Sequence, residues 1–414
     1  MAIRRFALLP LVAVAGFVTL PRPVQDTVTR ARVQPRTILV TVKGVPIFDT
    51  GYGSSIAVDP RHSNTFFLLA DRGPNYDAGK DVKAFVRPDY APRIGQFALR
   101  NGVLTQIARI DLSNSAGARL TGLPPAGGAG STGETALTVD GARLEGDSAG
   151  VDPEGLVALE DGGFWVAEEY GPSLLHVNGA GRVIERIRPT GGVGALPQVL
   201  RRRRPNRGFE GVTLLPDGKT LVAVLESPLE NPREAGRASK VTRLLAFDTQ
   251  SGRSRQYLYV QDAVDDHNSD LVAISQTELL VLERDAGMPG DTSHPAAIKR
   301  VYRVDLTGAT DVSDSSDRAE GMLLNGKTVE SFTPEELAAH GVVAVRKSLV
   351  ADLLALGYPH DKPEGITIIN PSTIAISNDD DFGVTEGPAP KLLSTLKETD
   401  FNEAFIIHLA TPLR

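Results

Sequence analysis

The chain has 414 residues, 51 Asp and Glu against 44 Lys and Arg, a formal net charge of −7 and no cysteine. Without cysteine there is no disulfide framework, thiolate nucleophile, thiolate-ligated metal or lipidated cysteine, and the acidic balance excludes a general nucleic-acid binder. Its 41 Gly and 28 Pro describe a chain that turns often, and its length allows a large buried core.

Arg4-Arg5, an apolar run over residues 6–20 and Pro21-Arg22-Pro23 open the sequence. A basic start, an apolar stretch shorter than the about 20 residues of a membrane span and a proline-marked end have the layout of an export signal. Residues 1–23 are therefore read as a signal peptide, 24–36 as a linker and 37–414 as one domain. A periplasmic or extracellular protein follows, with membrane contact only through the N-terminal segment if it stays uncleaved.

Five hairpin-like repeats then follow one another. The first runs from Ser54 to Val58, turns at Asp59-Pro60 and returns from Phe66 to Gly73. The second runs from Glu154, turns at Asp161-Gly162 and ends at Glu168-Glu169; the third runs from Glu210 through Pro216-Asp217-Gly218 to Glu226. The fourth spans Ser269 to Arg284 and the fifth Glu364 to Asp380. Short apolar runs on either side of Gly, Pro, Asp or Asn turns are strand–turn–strand signals.

Further strand-like runs, such as 174–177 with 183–187 and 244–248 with 256–260, trail the second and third hairpins. Four strands recurring at about the size of a propeller blade predict an all-β protein: a β-propeller of four-stranded blades, five visible and five or six in total. The spacing is nearly doubled after the first and fourth hairpins. A polar loop over 113–150 and a short helical insertion near 333–357, started by the Thr333-Pro334-Glu335-Glu336 cap signal, account for the excess. Residues 37–42 and 405–409 are expected to pair and close the ring, removing an open sheet edge.

Four local motifs carry less than they suggest. Gly321 to Thr328 matches the P-loop spelling, but no strand precedes it and no helix follows. Gly146-Asp147-Ser148-Ala149-Gly150 matches G-x-S-x-G in the same unsuitable context. Arg201 to Arg204 reads as a solvated loop, and His267 as a lone histidine in a polar segment.

An antiparallel hairpin brings its first and last residues to the same end. One rim therefore gathers acids, and so many carboxylates together call for cations. Asp71, Glu154, Glu169, Glu210, Asp270, Glu283, Glu364, Asp379 and Asp380 are the candidate ligands. Oxygen-only donors select Ca²⁺ first and Mg²⁺ or Mn²⁺ second. Glu168 and Glu226, at second-strand ends, are the candidate catalytic carboxylates; Arg72, Arg207, Arg284 and Lys362, interleaved with the acids, are the candidate phosphate-steering groups. The competing reading for Glu154, Glu210 and Glu364 is architectural, with Glu-Gly pairs accepting backbone amides at repeat junctions.

At Asp152-Pro153-Glu154-Gly155, Glu168-Glu169-Tyr170-Gly171-Pro172-Ser173, residues 206–212 around Glu210, Leu225-Glu226-Ser227-Pro228-Leu229, and Lys362-Pro363-Glu364-Gly365 with residues 378–383, the chain resembles the family called esterase-like activity of phytase. The resemblance spans about residues 45–410. It implies an exported, propeller-like protein whose acids carry phosphoesterase activity. The expectation is a monomeric metal-dependent hydrolase of small-molecule phosphate esters, with a cation-activated water at the channel mouth and no nucleic-acid partner. The alternatives are a non-catalytic binding propeller with structural Ca²⁺, or a Ca²⁺-dependent carboxylesterase or lactonase.

Overall fold

A computed structural model describes residues 26–34, 37–128, 130–385, 391–392 and 401–414. The expected signal peptide, residues 1–23, lies outside these. The described chain is all-β apart from short helical turns and two six-residue helices, Arg233–Ala238 and Pro334–Ala339.

Three sheets are four-stranded and one is eight-stranded. Each four-stranded sheet is an antiparallel meander: Pro153–Ala158, Phe164–Glu168, Ser173–Val177 and Val183–Ile187 in one; Phe209–Leu214, Thr220–Leu225, Val241–Asp248 and Arg253–Val260 in the next; His267–Ala273, Glu278–Arg284, Lys299–Asp305 and Arg346–Asp352 in the third. The eight-stranded sheet is two such units joined edge to edge. One is Ser55–Val58, Thr65–Ala70, Arg93–Arg100 and Val103–Asp111; the other is Pro363–Asn370, Thr373–Asn378, Glu403–His408 and Thr27–Gln34. The join is the parallel pairing of Arg32–Gln34 with Val103–Thr105. Numbered by first strand in chain order, these are five units.

Burial explains the spelling of the strands. Second strands lie between neighbouring units and are covered on both faces, so Thr65–Ala70, Phe164–Glu168 and Thr373–Asn378 are buried at every residue and show consecutive apolar residues rather than strict alternation. Outer strands such as Arg253–Val260 mix exposed and buried positions. The first strand of each unit packs on the first strand of the next, from Ser55–Val58 through Pro153–Ala158, Phe209–Leu214, His267–Ala273 and Pro363–Asn370 and back to Ser55–Val58. Separate apolar clusters fill the seams: Phe67 with Val166 between units one and two, Trp165 with Leu221 between two and three, Val224 with Val281 between three and four, Leu282 with Ile376 between four and five, and Leu68 with Ala375 between five and one.

Several expectations need correction. The N-terminal strand that pairs with Glu403–His408 is Thr27–Gln34, within the expected linker, with Thr27 opposite His408 and Arg32 opposite Glu403. Ile38–Val42, expected in that place, forms a separate hairpin with Val45–Phe48. The capping box at Thr333 and Glu336 does start a helix, but it stops at Ala339, and Arg346–Asp352 within the expected helical insertion is the fourth strand of unit four. The loop over 113–150 contains a strand, Thr135–Thr138, which pairs with Val82–Phe85 of an unforeseen hairpin, Asn75–Gly79 and Val82–Phe85.

The rejected motifs also find their places. The P-loop look-alike is a minimal hairpin, Leu323–Leu324 with Lys327–Thr328, turning on Asn325 and Gly326, both with positive φ. Ser148 is exposed in an irregular loop. Of the arginine run, Arg203 is buried, donating to the carbonyls of Tyr170 and Ser131, so the solvated reading holds for Arg201 and Arg202 only.

Candidate active site

The recurring Glu-Gly pairs are β-bulges. Pairing slips by one residue between Pro153 and Gly155, Phe209 and Gly211, Asn268 and Asp270, and Pro363 and Gly365. The extra residue is Glu154, Glu210, Ser269 or Glu364, and a bulge re-aims that side chain out of the sheet's alternation. The glycine that follows is required by the neighbouring unit. A Cβ on Gly155 would stand 2.6 Å from the Val212 nitrogen, and one on Gly365 2.6 Å from that of Ile56. Unit four has Asp270 at this position, and its carboxylate accepts from Ser55 Oγ at 2.9 Å, the Ile366 amide at 3.0 Å and the Leu271 amide at 2.8 Å. Asp270 thus pins three first strands together.

Across each hairpin the register decides which second-strand acid faces inward. Ser55, Gly155, Gly211, Asp270 and Gly365 pair with Leu69, Ala167, Val224, Leu282 and Ser377. Two residues beyond these partners stand Asp71, Glu169, Glu226, Arg284 and Asp379, and all five line one central cavity of about 470 Å³. One residue beyond stand Ala70, Glu168, Leu225, Glu283 and Asn378, none of which lines it. Because strand side chains alternate, the two sets point apart.

Among the described residues the cavity wall carries eleven carboxyl groups against five Lys and Arg side chains and His267. The hairpin of residues 75–85 overhangs it with Asn75, Tyr76, Asp77 and Lys83. The acids fall into two sectors. In units four and five Arg284 reaches Glu364 at 2.8 Å, and Lys362 reaches Asp381 at 2.7 Å and Asp379 at 3.3 Å. In units one to three, Asp71, Asp152 and Glu154 form one group and Glu169, Glu210 and Glu226 another, with one ligand atom from each residue of a group within 4.8 Å of the others.

Burial, reinforced by Asp152, pushes Asp71 and Glu154 well above the ordinary carboxyl range; burial with Asp152 and Glu226 does the same to Glu169, and burial with Glu226 and Glu169 to Glu210. Glu226 moves the other way. Burial works to raise it, but His267 and Arg207 pull it down to about 2. Burial in turn depresses the His267 imidazole to about 4. At neutral pH the charge of this pair therefore sits on the carboxylate, and His267 Nδ1 donates to Glu226 Oε1. Arg72 is fixed by Asn206 Oδ1 at 3.0 Å and lies 3.5 Å from Asp152; Arg207 is fixed by Ser227 Oγ at 2.9 Å.

The chemistry of the donor set fits a hard divalent cation. All six grouped ligands are carboxylates. Two buried oxygens, Glu210 Oε1 and Glu226 Oε2, accept no hydrogen bond among the described residues, a costly state that a cation would relieve.

Of the residues singled out from sequence, Asp71, Glu154, Glu169, Glu210, Glu226, Glu364, Asp379, Arg72, Arg207, Arg284 and Lys362 meet in this cavity. Glu168, Asp270, Glu283 and Asp380 do not. Glu168 accepts from the Tyr170 amide at 2.9 Å, Ser173 Oγ at 2.8 Å and Arg186 at 3.0 Å. Glu283 accepts from the Tyr259 hydroxyl, the Asp262 amide at 2.6 Å and Lys347 at 2.9 Å. Asp380 caps the turn after it and accepts from the Gly51 amide at 2.9 Å. Sequence reasoning passed over Asp152, Asn206, Asp361, Asp381 and the inward-facing His267. Asp152 and His267 stand two residues before their bulges, as Lys362 does, and that shared offset was the available signal.

The architecture defines an all-β protein of repeated four-stranded units with a carboxylate-lined cavity where their first strands meet. The profile of the phytase-like family, described as esterase-like activity of phytase, matches residues 50–382, and the chain belongs to that family. It is similar to an uncharacterized secreted protein of Arthroderma benhamiae, 27% identical over 351 residues covering 67% of this chain and 68% of the relative. Among solved structures, an α-L-arabinofuranosidase of Podospora anserina in complex with cellotriose aligns over 94% of this chain and 98% of its own, with 9% identity and a TM-score of 0.39. A protein of unknown function from Dyadobacter fermentans aligns over 94% and 100%, with 10% identity and a TM-score of 0.36. Likenesses this slight carry no functional argument.

Proposed function

We propose that the protein is an exported, metal-dependent hydrolase of phosphate esters, acting as a monomer at the cavity where its five units meet, and that these units are the blades of a five-bladed propeller. Family membership supports hydrolase chemistry, and the ring of first strands supports the propeller reading. The basic and apolar N-terminus, together with a relative that is named as secreted, supports export to the periplasm or outside the cell.

The observation that carries the phosphate reading is the meeting, in one cavity, of two carboxylate groups, one with two buried oxygens that accept no hydrogen bond among the described residues, with four fixed basic side chains. Glu169, Glu210 and Glu226, and Asp71, Asp152 and Glu154, are the residues that would hold cations. A Ca²⁺ ion there, or Mg²⁺ or Mn²⁺, supplies Lewis acidity toward a phosphoryl oxygen and toward water. The chain's own groups do the rest. Arg72 and Arg207 on one side, and Arg284 and Lys362 on the other, offer N–H donors to phosphoryl oxygens. Their acidic and polar partners fix them in advance, so little ordering is left for substrate binding. With Nδ1 committed to Glu226, His267 has Nε2 to exchange a proton with the cavity.

The test is turnover of phosphate mono- and diesters by purified protein with Ca²⁺, Mg²⁺ or Mn²⁺ and then with EDTA. Chelator-sensitive release of phosphate or alcohol is expected. Its absence on both classes sinks the reading. The family's esterase-like description favours one second reading, hydrolysis of carboxylic esters or lactones at the same cavity, which the same assay resolves when p-nitrophenyl acetate and a simple lactone join the panel.

A further inference from the structure

The two carboxylate groups of the open sector are not equivalent. In the first, Asp71 and Asp152 already have internal partners. Asp71 accepts from the Gly73 amide at 2.9 Å, Asp152 accepts from the Arg72 amide at 3.1 Å, and the Arg72 guanidinium lies 3.5 Å from the other Asp152 oxygen. A fixed positive charge stands where a cation would compete.

In the second group, Glu210 and Glu226 are only 8% and 7% exposed, yet Glu210 Oε1 and Glu226 Oε2 accept no hydrogen bond among the described residues. The guanidinium beside them is directed elsewhere: Arg207 donates to Ser227 Oγ, and its Nε is 4.0 Å from Glu226 Oε2. The other Glu226 oxygen is held by His267 Nδ1. Glu226 is thus anchored at one oxygen and presents the second, the arrangement by which an outer partner orients a ligand.

We propose that Glu169, Glu210 and Glu226 form the resident cation site, that His267 is a positioning residue for it, and that Asp71, Asp152 and Glu154 do not retain a cation by themselves. A hard divalent ion, Ca²⁺ before Mg²⁺ or Mn²⁺, suits three carboxylates in a cavity with room for water. The proposal rests on the cation half of the functional reading above and not on the phosphate half. The first group, Asp71, Asp152 and Glu154, becomes a place filled only when an anionic ligand brings or recruits its own cation.

The experiment uses the full chain after chelator treatment, titrated with CaCl₂ by calorimetry and followed by thermal unfolding, with MgCl₂ and MnCl₂ alongside and circular dichroism as a fold check. One tight Ca²⁺ per chain and a raised Tm are expected. Glu210→Gln removes both, Asp71→Asn keeps both, and His267→Ala weakens binding about tenfold, as loss of an outer partner does. If Glu210→Gln does not fold, Glu169→Gln tests the same group. The proposal is overturned if the folded wild-type chain binds no cation, if Glu210→Gln binds as wild type does, or if Asp71→Asn alone abolishes binding. Unchanged affinity in His267→Ala removes the positioning role. Tight Ca²⁺ without phosphate-ester turnover leaves the site and removes the phosphate reading, whereas chelator-insensitive turnover without cation binding removes the site and leaves a hydrolase.

Discussion

The cavity has two sectors made by the same backbone device and neutralised by different means. In units two, three and five a bulge presents a glutamate, and in every unit the residue two past the paired position of the second strand faces the same space. In units four and five the sequence supplies Arg284 and Lys362 to balance the acids, whereas in units one to three six grouped carboxylates share the wall with Arg72 and Arg207. Local geometry therefore places charge, and the residues at equivalent positions decide whether that charge is satisfied internally or left for a ligand. The sectors should respond oppositely to mutation.

The largest effect is expected in the self-neutralised sector. Arg284→Met leaves Glu364 buried without its cation and should cost about 3–5 kcal/mol, measured by urea unfolding. A cost within about 0.5 kcal/mol, the range of an ordinary surface substitution, would break the comparison. Lys362→Met should cost about 1–3 kcal/mol, as buried acceptors lose a donor. Added CaCl₂ should recover part of that loss in Tm, because Asp379 and Asp381 then resemble the open sector; a variant blind to calcium would show that they do not.

In the open sector the sign reverses. Glu210 carries a carboxyl pushed above its ordinary value by burial and by Glu226 and Glu169, so Glu210→Gln should raise the Tm of the chelated protein, and a destabilised variant would make Glu210 architectural. The smallest effect is in pH. For Glu154, Glu169 and Glu210, folded values above the ordinary 4.5 mean that their favourable contribution is complete below that pH and is lost as pH rises through the raised values. The Tm of chelated protein should fall modestly from pH 5 to 8, and the rise in Tm on adding CaCl₂ should grow over the same range. A calcium response that shrinks with pH would place the cation elsewhere.

Much of this was legible in the chain. The five hairpins, their turns and most third and fourth strands follow from apolar runs between turn residues, a local signal that needs no tertiary context. Glu169, Glu210 and the interleaved bases were visible in the same way. Glu168 and Glu283 were misplaced because a one-residue slip reverses the direction of every strand side chain, and the bulges that set the register depend on how adjacent units pack. Glu168 and Glu226 look equivalent in the sequence, but Glu168 is one residue past its paired position and Glu226 two. His267 looked solitary because Glu226, its partner, belongs to another unit.

By itself the sequence determined the repeat, the all-β class and the chemistry available at each strand end, because hydrophobic spacing and turn residues act within a few positions of one another. Only the tertiary structure decided that Thr27–Gln34 rather than Ile38–Val42 pairs with the last strand, and which acids meet without a cation. Both depend on contacts between residues far apart in the chain, where packing at the unit seams selects one register and one set of neighbours.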